Sequence, residues 1–339
     1  MPQRLSPRGR LSGGAILGVL LCVLGAAVAT GLARVVPLIG APVVGLVLGV
    51  LLALTVRPAR RLSPGISFCS HQVLQVAVAG LGLQLTLGQA VAAGSQSLPV
   101  LLGTLAICLV AAGLIGRFLA VRSNLRTLVG VGTAICGASA IAAVTPIIDA
   151  AAVDVTYALS TVFVFNAVAV VLFPLLGHAL GMSQQAFGLF AGTAINDTSS
   201  VVAAGSVFGA EAGQHAVVVK LTRTLVIIPI CIGLAVWRGR RRDGKRVRMP
   251  GVTRLIPWFL VAFVALSALV SVVPPSAGLR NAFGAVAIFL ITVALTAIGL
   301  STDLRGVRTT GPRPLLLGAL LWVVVSVSSL LLAAATGIR

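Results

Sequence analysis

Apolar runs about as long as a bilayer crossing follow one another through almost the whole chain, and they constrain its fold more than any other feature. A helix needs about 20 mostly apolar residues to cross the hydrocarbon. Cutting at proline, glycine and charge clusters gives about eleven such segments: 12–33, 37–56, 71–88, 97–119, 126–148, 155–177, 185–206, 214–237, 254–273, 281–302 and 314–336. A soluble fold of about two domains would suit the length but fails on charge. A water-facing surface needs roughly a quarter of its residues charged, whereas 9% are charged here and 58% are hydrophobic. The chain reads as an all-α polytopic membrane protein: one integral membrane domain over 1–339, with a tail at 1–11 and a basic loop at 238–253. Arg4, Arg8 and Arg10 before the first segment imitate a signal peptide, but ten further segments behind it favour an uncleaved span.

A net charge of +19 would ordinarily raise nucleic acid as a partner. Its distribution argues otherwise, because short cytoplasmic loops retain Lys and Arg. With the N-terminus inside and eleven crossings, twenty of the 25 basic residues fall on the inner side. Arg34, Arg280 and Arg339 fall outside, and Lys220 and Arg223 lie within the eighth segment. The expected location is a bacterial inner membrane, N-terminus cytoplasmic and C-terminus outside. The five cysteines show no metal-ligand spacing.

Two stretches break the apolar monotony: Val129 to Ala140, containing Gly132, Thr133, Gly137 and Ser139, and Ala191 to Ser200, containing Gly192, Thr193, Asn196 and Asp197. Glycine and small hydroxyl residues this dense weaken a helix, and non-helical backbone at membrane depth persists only when buried in protein or lining a cavity. Both are candidate helix breaks, marked by Gly132, Gly137 and Gly192; close packing through small residues is the competing explanation, as for Gly45-xxx-Gly49. Asp197 is an acid well inside the apolar band, and an intramembrane acid usually faces a partner or water. Lys220 and Arg223, three apart on one helix face, are its expected partners. The three sum to +1, and Arg223 offers a planar donor fork suited to oxyanions.

Internal echoes occur at two offsets. Gly82, Leu83, Leu87, Gly94 and Leu98 recur 217 residues later, on opposite sides in the assigned topology, the relation expected of inverted repeats in transporters. Gly132-Thr133-Ala134-Ile135 recurs as Gly192-Thr193-Ala194-Ile195 at offset 60, with Ser139 matching Ser199, and these copies run in the same direction in that topology. No HExxH, phosphate-binding GxxxxGK, GxSxG or paired acids within one segment suggests catalysis.

Pro64-Gly65-Ile66, Gly80-Leu81-Gly82-Leu83-Gln84-Leu85, Ile135-Cys136-Gly137-Ala138-Ser139-Ala140, Gly192-Thr193-Ala194-Ile195, Lys220-Leu221-Thr222-Arg223 and Ala297-Ile298-Gly299-Leu300-Ser301-Thr302-Asp303, in this order, resemble the bacterial YeiH-like sulfate exporter family, UPF0324. The resemblance covers nearly the whole chain. It implies an inner-membrane protein distantly related to the cation/proton antiporter and bile-acid symporter group, with inverted repeats and discontinuous helices. Relatives usually carry His where this chain has Asn196 and Gln where it has Ser200.

The leading expectation is a secondary transporter, an exporter of a small anion such as sulfate, another sulfur oxyanion or a sulfonate. Arg223, Lys220, Thr193, Asn196, Thr133 and Ser139 would bind it, with Asp197 as counter-ion or proton carrier. The alternatives are a cation/proton antiporter using Asp197 and a non-transporting membrane scaffold. The expected partners are the anion and membrane lipid, with self-association left open; no cofactor, metal, nucleic acid or enzymatic activity is expected.

Overall fold

A computed structural model describes residues 13–35, 40–55, 61–241, 257–301 and 312–337, all helical or connecting. The helices are α1 (Gly13–Val35), α2 (Ala41–Thr55), α3 (Ser63–Gln84), α4 (Leu87–Phe118), α5 (Ser123–Ala134), α6 (Ala138–Ile148) and α7 (Ala152–Ala179). They continue as α8 (Gln184–Ala194), α9 (Thr198–Phe208), α10 (Ala210–Leu225), α11 (Ile227–Arg241), α12 (Trp258–Val272), α13 (Ala277–Leu300) and α14 (Pro312–Ala335). Seven helices among the described residues are long and apolar enough to cross a membrane; α2 and α12 have 15 residues each. The third begins near residue 63 rather than 71, because Pro64 fits a helix's first turn, where its missing N–H is no loss. The tail at 1–11, loop residues 242–253, and Leu304 and Gly311 of the longer echo lie outside the described residues.

The chain divides into two compact units. The first, Met1–Gly80 with Ser276–Thr302, is held by glycine-mediated helix contacts. A Cβ on Gly49 would lie 3.0 Å from the Gly299 Cα, and one on Gly65 2.9 Å from the Gly18 Cα, so α2 crosses α13 and α3 crosses α1 backbone against backbone. Gly45 and Gly49 thus serve close packing.

The second unit, Leu81–Pro275 with Asp303–Arg339, holds both glycine-rich stretches and corrects the reading of eleven crossings. The segments at 126–148 and 185–206 are not spans. Each is two helices of 11 or 12 residues, about 17 Å long at 1.5 Å per residue, roughly half the hydrocarbon thickness. The second pair turns back on itself. Gln184, at the start of α8, donates from Nε2 to the Phe208 carbonyl at the end of α9 (3.5 Å) and accepts from the Ala212 N–H (3.0 Å). Phe187 stacks on Phe208 with centroids 4.0 Å apart. The first pair folds back likewise: a Cβ on Gly132 would lie 2.9 Å from Ile141 Cδ1, a contact a straight-through helix could not make across nine residues.

Between the hairpins runs α7, 28 residues and about 42 Å long. The first hairpin leads into its N-terminal end and the second leaves from its C-terminal end, so they enter from opposite ends of α7. Their tips meet at its middle: the site of a Cβ on Gly137 is 3.4 Å from Val162 Cγ1, and Asn166 Oδ1 accepts from the Asn196 N–H at 3.1 Å. The inverted relation therefore belongs to the offset of 60, whose copies the sequence reading had running the same way. The helices follow that offset closely: Ala138–Ile148 maps onto Thr198–Phe208. Gly82 packs on the Phe263 backbone, whereas Gly299 packs on α2, so the echo at 217 joins unlike surroundings.

Candidate functional site

The hairpin tips are three-residue interruptions, Ile135-Cys136-Gly137 and Ile195-Asn196-Asp197. Each presents two helix ends beside the middle of α7: the carbonyl ends of α5 and α8, and the amide ends of α6 and α9. The carbonyl ends are negative and the amide ends positive, about half a charge each.

Lys220 and Arg223 bind the carbonyl ends. Both are fully buried on one face of α10. Lys220 Nζ donates to Ile135 O and Ile195 O, each at 2.8 Å, so one ammonium bridges both tips. Arg223 Nε donates to Ala134 O (2.8 Å), Nη2 to Thr133 O (3.0 Å) and Nη1 to Thr193 O. A buried charge costs several kcal/mol in desolvation. Hydrogen bonds to charged groups return about 1.5–3 kcal/mol each, and five of them, aimed at helix C-termini, make these bases tolerable. The expected pairing with Asp197 is not formed: among the described residues both bases bond to main-chain carbonyls. Residue types could not reveal partners that belong to the backbone.

Asp197 instead caps α9. Its Oδ2 accepts from the Ser200 N–H (3.2 Å), the Ser200 hydroxyl (3.4 Å) and the Ser199 hydroxyl. At the matching end of α6, Gly137 holds the cap position at φ +65°, ψ −121° with no side-chain cap. The positive φ is a region that L side chains rarely adopt, and it turns the chain back at the tip. Ser139 is exposed on α6's first turn, and Asp197 to Ser200 are half-exposed. Polar groups exposed at the middle of a membrane helix face water rather than hydrocarbon.

The remaining expected site residues divide by role. Thr133 and Thr193 contribute carbonyls; the Thr193 hydroxyl is engaged by Leu189 O (2.7 Å) and Ser329 Oγ (2.6 Å) on α14. Gly132 and Gly192, expected as breaks, remain helical, two residues before their helices end. A Cβ on Gly192 would lie 2.7 Å from Val219 Cβ and 2.8 Å from Ala216 O, so this glycine lets α8 approach α10 closely enough for both bases to reach the tips. Asn196 is buried at the tip with its Oδ1 unpartnered. Asn166, missed in the sequence reading, faces it with an unpartnered Nδ2; an amide in the middle of the apolar run Val162 to Phe173 was the available signal. No group of three or more His, Cys, Asp or Glu that could hold a metal occurs among the described residues.

The family model described as conserved hypothetical protein 698 matches residues 17–318. A UPF0324 membrane protein of Streptococcus pyogenes serotype M6 is 42% identical over 331 residues, covering 95% of this chain and 97% of that protein. One from Fusobacterium nucleatum is 36% identical over 335 residues, covering 93% and 96%, and one from Streptococcus mutans is 37% identical over 327 residues, covering 92% and 95%. No solved structure matches. With the family model spanning most of its length and relatives this similar end to end, the chain belongs to the UPF0324 family of bacterial membrane proteins.

Proposed function

We propose that the chain is a secondary transporter of a small anion in a bacterial plasma membrane, and a carrier rather than an enzyme. The observation that carries this reading is the charge at the crossing. Two buried bases and one acid leave one positive charge at mid-depth, while two carbonyl ends and two amide ends of the half-helices cancel. An uncompensated charge there is costly, and an anion relieves it. Discontinuous helices that meet at the midplane from opposite ends are the architecture by which carriers expose one site to either side in turn. Sulfate, other sulfur oxyanions and sulfonates are the substrates the family likeness suggests.

The same orientation is proposed with the hairpins in place. Arg117, Arg122 and Arg126 flank the α4–α5 turn, and Arg238, Arg240 and Arg241 end α11. Between these clusters the chain now crosses twice, by α7 and α10–α11, instead of four times, so both stay on one side. By the positive-inside rule that side is cytoplasmic.

One observation favours a second reading, cation/proton antiport: the Lys220 ammonium sits between two carbonyls, as a small cation would. Purified protein in liposomes separates the two. The anion reading expects saturable uptake of sulfate, sulfite or an organosulfonate, independent of the sodium or potassium gradient. Flux of a monovalent cation against protons, with no anion movement, would refute it.

A further inference from the structure

We infer that the anion binds at the N-terminus of α6, which lacks a carboxylate cap, with Asn166 as its buried donor, and that the site takes a singly charged oxyanion. This rests on the transport reading above and names its site and substrate class.

The two hairpins are the same device with one difference. At the offset of 60, Asp197 falls on Gly137. The amide end of α9 is filled by the Asp197 carboxylate, an anion built into the chain. At the matching end of α6 the cap residue is Gly137, which has no side chain to offer; the Ala140 N–H there meets the Cys136 sulfur in place of a carboxylate. An external oxyanion there would complete the pattern, and helix N-termini bind such groups through free amides.

A second, independent observation points to a ligand at this place. Asn166 is 2% exposed, and its Nδ2 has no partner. Its Oδ1 is held by the Asn196 N–H at 3.1 Å, which fixes the amide's orientation. Val162, one turn earlier on the same face of α7, is 3.4 Å from the site of a Cβ on Gly137, and Asn196 Cβ is 3.8 Å from it. The orphaned donor therefore lies on α7 one turn beyond the residue that meets Gly137, beside the second tip. Asn196 Oδ1, 1% exposed, is orphaned at the same junction. Buried polar groups without partners are few in folded proteins, and each calls for an explanation; a ligand oxygen at the α6 end supplies one for Asn166. The Ser139 hydroxyl stands exposed on the adjoining turn.

Charge sets the class. Lys220 and Arg223 against Asp197 leave +1, with Glu211 and His215 toward the far end of α10. A monoanion brings the loaded site to neutrality. A dianion such as sulfate leaves a net negative charge at mid-depth, where an unbalanced charge is unfavourable.

The test uses full-length protein in lipid nanodiscs, titrated calorimetrically with methanesulfonate and sulfate, two sulfur oxyanions of different charge, at matched ionic strength. The wild type is expected to bind methanesulfonate at least about 10-fold more tightly than sulfate. Asn166→Ala should weaken methanesulfonate by about 10-fold or more, as for loss of one hydrogen bond to a charged group. Asn166→Asp, which keeps an acceptor for the Asn196 N–H but places a negative charge at the site, should abolish binding. Asp197→Asn and Asp197→Ser both retain good helix caps while raising the site's charge by one, and should shift the preference toward sulfate. Equal or tighter binding of sulfate by the wild type, with the order unchanged in both Asp197 variants, would overturn the inference, as would unaltered binding by both Asn166 variants. Either result combined with intact anion flux in liposomes sinks the site assignment alone; binding of neither anion with no anion flux sinks the transport reading as well.

Discussion

Removing the Arg223 side chain should loosen both hairpins at once. In Arg223→Ala, the carbonyls of Thr133, Ala134 and Thr193 lose their donors. They lie at the fully buried crossing, where water cannot replace the guanidinium without entering the core. An unsatisfied buried polar group costs about 1–3 kcal/mol, so three give a loss of about 3–9 kcal/mol, comparable with the whole stability of a typical domain. Relief from burying the charge reduces this without cancelling it, since truncating one partner of a buried charged contact is strongly destabilising. Arg223→Lys keeps the charge but replaces a rigid fork with a point donor, and should fall between alanine and the wild type. All five cysteines are buried, so a thiol-reactive fluorophore reports unfolding in detergent without any engineered probe. Unfolding of Arg223→Ala at the wild-type temperature would show that the carbonyl contacts do not hold the hairpins together.

Three further substitutions examine other parts of the arrangement. Gly192→Ala places a methyl 2.7 Å from Val219 Cβ and should cost about 1–3 kcal/mol by overpacking, read as earlier dye labelling; unchanged labelling would mean that α8 need not lie so close to α10. Gly137→Ala has room for its methyl, the nearest atom being 3.4 Å away, but forces φ +65° on an L residue, at about 1–3 kcal/mol; a neutral result would show that the tip can relax to another conformation. Gln184→Ala removes both bonds that close the mouth of the second hairpin and should give earlier proteolysis between α9 and α10, with a digestion pattern identical to the wild type contradicting it.

The sequence displayed the components of the site more readily than their arrangement. The glycine-rich stretches, the bases at 220 and 223, and the offset of 60 are matters of residue identity, and each lies at the crossing. Whether 126–148 and 185–206 cross or turn back was hidden because small apolar residues serve both outcomes equally. The charge count could not reveal the turn either: residues 149–151 and 180–183 carry no Lys or Arg, and exchanging two crossings for two hairpins preserves the parity of every basic loop. Asp197 looked like the partner of the bases because side chains are visible in a sequence, whereas helix-end carbonyls, which Lys220 and Arg223 bind, are not. Asn166 was legible in principle, as an amide in an otherwise apolar stretch, but it acquires meaning only when α7 is seen to carry both tips.

The central claim is that two hairpins enter from opposite faces and meet at the middle of α7. Four exposed positions report on it directly: Arg122, Ala151, Leu180 and Ala210. Each is changed singly to cysteine and labelled with a membrane-impermeant maleimide in intact cells and in inverted vesicles, against the buried native thiols. The account predicts that 122 and 151 label from the cytoplasmic face and that 180 and 210 label from the other. Alternation of sides along the four positions would mean that 126–148 and 185–206 cross the membrane, and would contradict it.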